Sequence, residues 1–519
     1  MPKFLFIPVA FALLLAVGVP VHAAADDTPQ DATKTTQPDK ASKQDELPIP
    51  PERNVVTKHN VRIDGRTISY RATAGTLLIK DDKGKPTVSF FYVAYTADNA
   101  KAGERPLTFM FNGGPGSSTM WLHMGSFGPV RVANRGDQPI PPPPYTTVAN
   151  DDSLLDKTDL VFIDAPGTGY SQLVGAAKGK DFYGVDQDAA AFAKFITRYV
   201  STNQRWNSPK FLFGESYGTT RSAVLVKLLQ AQGMEFNGVI LMSSILDFNV
   251  WADTGIDHAY IVNLPTEAAI AWYHNKVPNK PADIGSFLTS VRQFATGDYA
   301  AALAKGDAIT TAEADRIANQ LSQYLGLSPT YIRQANLRIG PSRFRKELLR
   351  DQRRTVGRLD GRFEGIDPDA AGETPDGDAA SDAATGAYLA AFNQYAGTAL
   401  KYTADRAYLP NNYAVINRGW DWKRSGERAR IQSPYVGTDL AAAMRRNPHL
   451  RVFAANGYYD LATPFFATEF DLGHLGLDAA IHKNIQFGFY PSGHMIYFDV
   501  AALKQVRADL SRFYDEAAP

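Results

Sequence analysis

The stretch Gly214-Glu215-Ser216-Tyr217-Gly218 follows the apolar run Phe211-Leu212-Phe213, so a strand delivers Ser216 onto a sharp turn. In such an elbow the glycines relieve crowding around a strained serine, whose Oγ stands clear as a nucleophile while a helix begins behind it. A lone match is weak in a chain with 41 glycines. It gains weight from what lies downstream. Residues 450–455 read as a strand running into Asn456-Gly457-Tyr458-Tyr459-Asp460, which leaves Asp460 at a strand's C-terminal end. Residues 485–490 read as another strand, followed by the turn Pro491-Ser492-Gly493-His494. A serine nucleophile needs a general base and an acid to orient it, and His494 and Asp460 are the candidates.

Upstream, the β-rich run 107–111 empties into Asn112-Gly113-Gly114-Pro115-Gly116-Ser117-Ser118. Acyl transfer needs donors aimed at the oxygen that turns negative in the tetrahedral intermediate, and glycines let the backbone approach closely enough to supply them. The expected oxyanion donors are the N–H groups of Gly114 and Tyr217.

These segments, together with Gly128-Pro129 and the run Phe162-Ile163-Asp164-Ala165-Pro166-Gly167-Thr168-Gly169-Tyr170-Ser171, resemble the serine carboxypeptidase family, the relatives of carboxypeptidase Y. The likeness runs from about residue 58 to about residue 514, with a divergent middle. The resemblance implies that Asn112, Gly113 and Glu215 bind the substrate's terminal carboxylate and that Gly114 and Tyr217 form the oxyanion hole. The family also uses a second glutamate between the glycine loop and the Gly-Pro pair. Counting from Asn112, this chain has Ser126 there.

The elements that must position these residues follow a pattern. Residues 55–95 read as antiparallel strands with a turn at Asp81-Asp82-Lys83-Gly84. Beyond them strands at 160–164, 210–213 and 238–242 alternate with helices at about 185–200 and 219–229, which predicts a mainly parallel, doubly wound sheet. With the chain order Ser216, Asp460, His494, this is the arrangement of an α/β-hydrolase. The pattern turns helical between about 251 and 435, with helices at 282–295 and 312–325, and predicts a cap inserted after the strand that follows Ser216. The expected organisation is a signal peptide over 1–23, a disordered leader over 24–52, and a hydrolase core over 53–250. The helical cap insertion follows over 251–435, and the rest of the core over 436–519. Residues 367–386, rich in Asp, Ala and Gly, read as a loop within the cap.

At 519 residues and 44% hydrophobic the chain can bury an ample core, and its net charge of zero argues against a nucleic-acid partner. Lys3, an apolar run over 4–19 and Val21-His22-Ala23 fit a cleaved secretory signal, so an exported protein, periplasmic or secreted, with no membrane span after cleavage is expected. The absence of cysteine excludes disulfides and thiolate metal sites. No metal or cofactor is expected, since there is no His-Glu-x-x-His and Gly113-Gly114-Pro115-Gly116 has the wrong spacing for dinucleotide binding. Residues 333–362 are strongly basic; they read first as a solvated helix face, with attraction of acidic substrates or anionic envelope surfaces as the alternative. The expected function is a serine carboxypeptidase acting on peptides with a free C-terminus. An esterase or acyltransferase on the same scaffold and an inactive envelope binding protein are the competing readings. The sequence sets no oligomeric state.

Overall fold

Leu107–Phe111 and Asp159–Ile163 are buried at every position, as strands covered on both faces must be. A computed structural model, which describes residues 46–98, 101, 103–134, 136, 138–250, 256–425 and 433–518, places them inside a ten-stranded sheet. The expected signal peptide and residues 24–45 of the expected leader lie outside the described residues. One edge of the sheet is antiparallel: Asn54–Ile63 pairs with Arg66–Lys80, which pairs with Pro86–Ala97 across the turn read at Asp81 to Gly84. Pro86–Ala97 pairs antiparallel with Asp159–Ile163. From there the order Asp159–Ile163, Leu107–Phe111, Lys210–Ser216, Gly238–Ser244, Arg451–Gly457, Ile485–Tyr490 is parallel throughout. The chain has an α/β-hydrolase fold.

Side chains alternate across such strands, so each strand feeds two cores. Leu212 joins Phe192 and Val226 from the helices Val185–Thr202 and Tyr217–Ala231 on one face. Phe211 and Phe213 join Leu510 and Phe513 of the helix Val500–Ala517 on the other. Parallel strands bring their C-terminal ends to one edge of the sheet, which is where loops can gather reactive groups.

The strands Gly238–Ser244 and Arg451–Gly457 are neighbours, yet the chain between them makes a long helical excursion. Ile284–Phe294 and Thr311–Leu325 lie close to the helices read from the sequence. The basic stretch 333–362 departs from the expected single helix face. Pro329 and Pro341 each start a new short helix, Pro329–Gln334 and Pro341–Glu347, and left-handed Arg353 turns the chain into the strand Arg354–Val356. Within residues 367–386 the expected loop carries local order. Asp367 is buried against Lys346 at 2.7 Å, and Asp378 caps a short helix, Ala379–Asp382. Composition reports polarity but not which acid finds a buried partner.

Candidate active site

Ser216 ends the strand Lys210–Ser216 and the helix Tyr217–Ala231 begins at the next residue, so the chain reverses within one peptide unit. Its backbone sits at φ 60° and ψ −131°, a conformation that costs a non-glycine residue about 1–3 kcal/mol. The reversal is tight enough that a Cβ on Gly214 would collide with the Gly218 carbonyl, and one on Gly113 with the Tyr217 nitrogen. Glycine at both positions is therefore a packing requirement. It also brings the Asn112-Gly113-Gly114 loop against the helix start, where Tyr217 N–H has no acceptor within the helix.

The Asn112 loop is held from beneath. Asn112 Oδ1 accepts from Leu122 N at 3.0 Å, and the Asn112 carbonyl accepts from Arg221 Nη1 at 2.8 Å. Arg221 is buried, paired twice with Asp188 at 2.6 and 3.1 Å and laid over the Phe192 ring. Sequence reading passed over Arg221 and Asp188. Their signal was an arginine on the buried helix that follows Ser216, which must find a buried acid.

Asp460 and His494 meet where the adjoining strands Arg451–Gly457 and Ile485–Tyr490 end. His494 Nδ1 lies 2.8 Å from Asp460 Oδ2, and both residues are buried. Asp460 Oδ1 accepts from the backbone N–H of Ala462 and Thr463, and Oδ2 also accepts from Thr463 Oγ1 at 2.6 Å. Burial works against a charge on the imidazole, but the carboxylates of Asp460 and Glu215 outweigh it, and the His494 pKa is raised. With Nδ1–H given to Asp460, Nε2 is left free to accept a proton.

Ser216, His494, Asn112, Gly113, Gly114, Glu215 and Tyr217 line one cavity of about 460 Å³. Asp460 stands behind His494, outside the lining. A larger cavity of about 660 Å³, beside the turn at Asp81 and the helix Val185–Thr202, contains none of them. At the inner end of the smaller cavity Glu215 is almost fully buried, and burial raises its pKa to about 7 against the lowering influence of His494 and of the nearby Tyr497 and Asn112. Glu215 Oε2 and the Tyr388 hydroxyl have no hydrogen-bond partner, and the Tyr497 hydroxyl stands beside Glu215 and Asn112. Ser126 is absent from the lining; its Oγ turns back to the Leu122 carbonyl at 2.6 Å. The space beside Gly125 is taken by the Tyr497 ring and the Tyr388 hydroxyl, two residues that sequence reading did not select.

One segment of the helical excursion, residues 358–362, is stitched to both loops. Leu461 N donates to the Arg358 carbonyl at 3.0 Å, and Gly361 N to the Tyr459 carbonyl at 2.9 Å. His494 N donates to the Leu359 carbonyl at 2.6 Å, and Gly493 N to Asp360 Oδ2 at 3.1 Å. Arg362 clamps this arrangement, pairing with Asp360 at 2.7 Å and Asp499 at 2.9 Å and donating to the Pro491 carbonyl. Away from the cavity, Asp247, His258 and Asp471 bring donor atoms within 4.8 Å of one another, the one grouping with a metal-ligand set among the described residues.

The serine carboxypeptidase family model (peptidase S10) matches residues 66–354, more than half of the chain. The chain belongs to the serine carboxypeptidase family. It is 30% identical over 145 residues to the pheromone-processing carboxypeptidase KEX1 of Saccharomyces cerevisiae, a match that covers 26% of this chain and 19% of that protein. The Debaryomyces hansenii protein of the same name is 27% identical over 161 residues, covering 30% and 21%. The chain thus spans about a fifth of the length of these relatives. Among solved structures, proline iminopeptidase of Mycobacterium smegmatis is 11% identical with a TM-score of 0.37, covering 85% of this chain and 98% of that one. A thermostable carboxyl esterase from Bacillus coagulans is 13% identical with a TM-score of 0.36, covering 86% and 98%.

Proposed function

We propose that this member of the serine carboxypeptidase family removes C-terminal residues from peptides through an acyl-enzyme on Ser216. Ser216 Oγ attacks the last peptide carbonyl while His494 Nε2 takes its proton, and Asp460 holds the imidazole and stabilises the imidazolium that forms. The Gly114 and Tyr217 N–H groups receive the oxyanion. His494 then gives the proton to the departing amine, the C–N bond breaks, and water activated by the same imidazole hydrolyses the ester to free Ser216. No step calls on a metal or cofactor.

The observation that carries the carboxypeptidase reading is the inner end of the cavity. A general hydrolase needs Ser216, His494 and Asp460, whereas a carboxypeptidase also needs groups that hold a free terminus. Glu215 supplies an unpartnered, buried carboxyl oxygen beside Asn112 and Gly113, and a pKa of about 7 lets it donate to a carboxylate. The hydroxyls of Tyr497 and Tyr388 stand close to it. The esterase reading draws on Ser126, whose hydroxyl is turned away from this end and offers the terminus nothing. Mass spectrometry of a defined peptide mixture after incubation separates the readings. Stepwise loss of C-terminal residues is expected; ester cleavage alone would support the esterase, and no turnover an inactive binding protein.

The helical segment 251–435 is proposed as a cap over this cavity, with 53–250 and 436–519 forming the core. Export is proposed from the apolar N-terminal run; among the described residues no helix is long and apolar enough to cross a membrane.

A further inference from the structure

The basic stretch 333–362 is mostly spoken for by the fold. Arg338 pairs with Asp257, Lys346 with Asp367, Arg350 with Glu347, and Arg362 with Asp360 and Asp499. Arg345 donates to the carbonyls of Val356 and Gly377. Arg358 is different. It is exposed, it lines the cavity that holds Ser216 and His494, and among the described residues no carboxylate lies within 4.0 Å of its guanidinium. Asp378, an acid in the same lining, has its oxygens committed to the backbone N–H groups of Arg358, Leu359 and Ala380.

Its main chain, by contrast, is fixed on both sides. The N–H donates to Asp378 at 2.9 Å, and the carbonyl accepts from Leu461, one residue past Asp460. The side chain thus starts from a point fixed relative to the catalytic loops while its own donors meet no partner among the described residues. A planar guanidinium presents paired N–H donors matched to a carboxylate, and a preorganised fork loses little freedom on binding one. The charge also reaches His494, where it opposes protonation of the imidazole. A bound carboxylate would cancel that opposition as the imidazolium forms in the transition state, so the interaction favours turnover as well as binding.

We propose that Arg358 is a carboxylate-binding subsite on the His494 side of the cavity, taking a carboxylate of the residue being released. This rests on the carboxypeptidase reading above. The carboxylate is either the terminal one or an acidic side chain.

Four blocked dipeptides with a common acyl residue decide between these, with glutamate or glutamine as the leaving residue and each as free acid or amide. The wild type is expected to prefer the charged member of at least one pair by about 10- to 100-fold in kcat/KM, the range for a hydrogen bond between charged partners. Arg358→Gln should shrink that preference by at least about tenfold. A loss in the acid and amide pair assigns the terminal carboxylate; a loss in the glutamate and glutamine pair assigns the side chain. Arg358→Lys, which keeps the charge without the fork, should fall between wild type and Arg358→Gln, and it carries the same comparison if Arg358→Gln does not fold. Unchanged ratios for both pairs would overturn the subsite while leaving the carboxypeptidase standing. A wild type that cleaves none of the four but hydrolyses a simple ester would overturn the carboxypeptidase reading and this one with it.

Discussion

The elbow at residues 214–218 and the brace at residues 358–362 both serve the same cavity, but they reach their shape by different means. The elbow is made by neighbours in sequence: an apolar strand, two glycines that must lack a Cβ, and a helix that starts at once. The brace has little local preference, and its shape comes from partners over a hundred residues away, at Gly493 and Pro491, besides Tyr459 and Leu461. The strained turn at Ser216 can thus be written into five residues, whereas the brace against the His494 loop draws on partners far along the chain. Changes in the elbow should remove chemistry and spare the fold; changes in the brace should weaken both.

The largest effect tests the first half of that contrast. Ser216→Ala should lower kcat by about 10⁴- to 10⁶-fold, as for other triad knockouts, with thermal unfolding close to the wild type. An organofluorophosphonate should label Ser216 in the wild type, and EDTA should leave turnover intact. Activity lost to EDTA and untouched by the fluorophosphonate would remove Ser216 from its role. Asp460→Asn comes next, at about 10⁴-fold, because the amide favours the wrong imidazole tautomer. Asp471→Asn is the control, since Asp471 is buried on the helix Phe465–Gly473 and does not line the cavity. Equal damage from the two, or a silent Asp460→Asn, would reassign the orienting acid.

The brace predicts a mixed result. Arg362→Met leaves Asp360 buried without its counter-ion, which should cost about 3–5 kcal/mol of stability. In the fraction that stays folded, a His494 loop displaced by about 1 Å should lose roughly 10²-fold in kcat. The kcat loss must appear well below the melting temperature and must be accompanied by a displaced acid limb of the pH–rate profile. Normal kcat and profile in a merely less stable protein would reduce the brace to scaffolding.

The same contrast explains what could be read from the residues. The order of strands and helices was legible because parallel strands buried on both faces are continuous apolar runs. Asn112, Ser216, Asp460 and His494 could be singled out as candidates because each lies at or just beyond the C-terminal end of such a run, where the fold collects its loops. Tyr497, Tyr388 and Arg358 were not, for a physical reason. A tyrosine in an apolar segment looks like any core residue until its hydroxyl is found beside a buried carboxyl, and an arginine in a basic run looks solvated until it is found lining a cavity. The Ser126 position illustrates the limit most clearly. Counting showed that a glutamate was missing, but only the fold shows two tyrosines against the neighbouring Gly125.

Glu215 gives the smallest effect and the sharpest test, because it belongs to the elbow by sequence and to the far end of the cavity by function. Its pKa of about 7 means that it can donate to a substrate carboxylate at pH 6 and has mostly lost that proton by pH 8. For free-acid peptides this should lower kcat/KM by about tenfold between those values, the change in protonated fraction around such a pKa. His494 works in the opposite sense, since it must be unprotonated to accept from Ser216 and its pKa is raised. Free-acid substrates should therefore give a bell, and their amides only the rising limb. Glu215→Gln donates at every pH, so it should abolish the falling limb; it also removes a negative charge that raises the His494 pKa, so the rising limb should move to lower pH. The stability sign is fixed too. A carboxyl whose pKa is raised on folding contributes stability that is present below its unfolded value near 4.5 and is lost as pH rises through about 7. Above pH 7 Glu215→Gln should therefore be the more stable protein, by up to about 3 kcal/mol, and should lose that advantage by pH 4. A falling limb that survives the substitution, together with a stability difference that does not depend on pH, would mean that Glu215 carries its charge throughout and that the terminus is held by other groups.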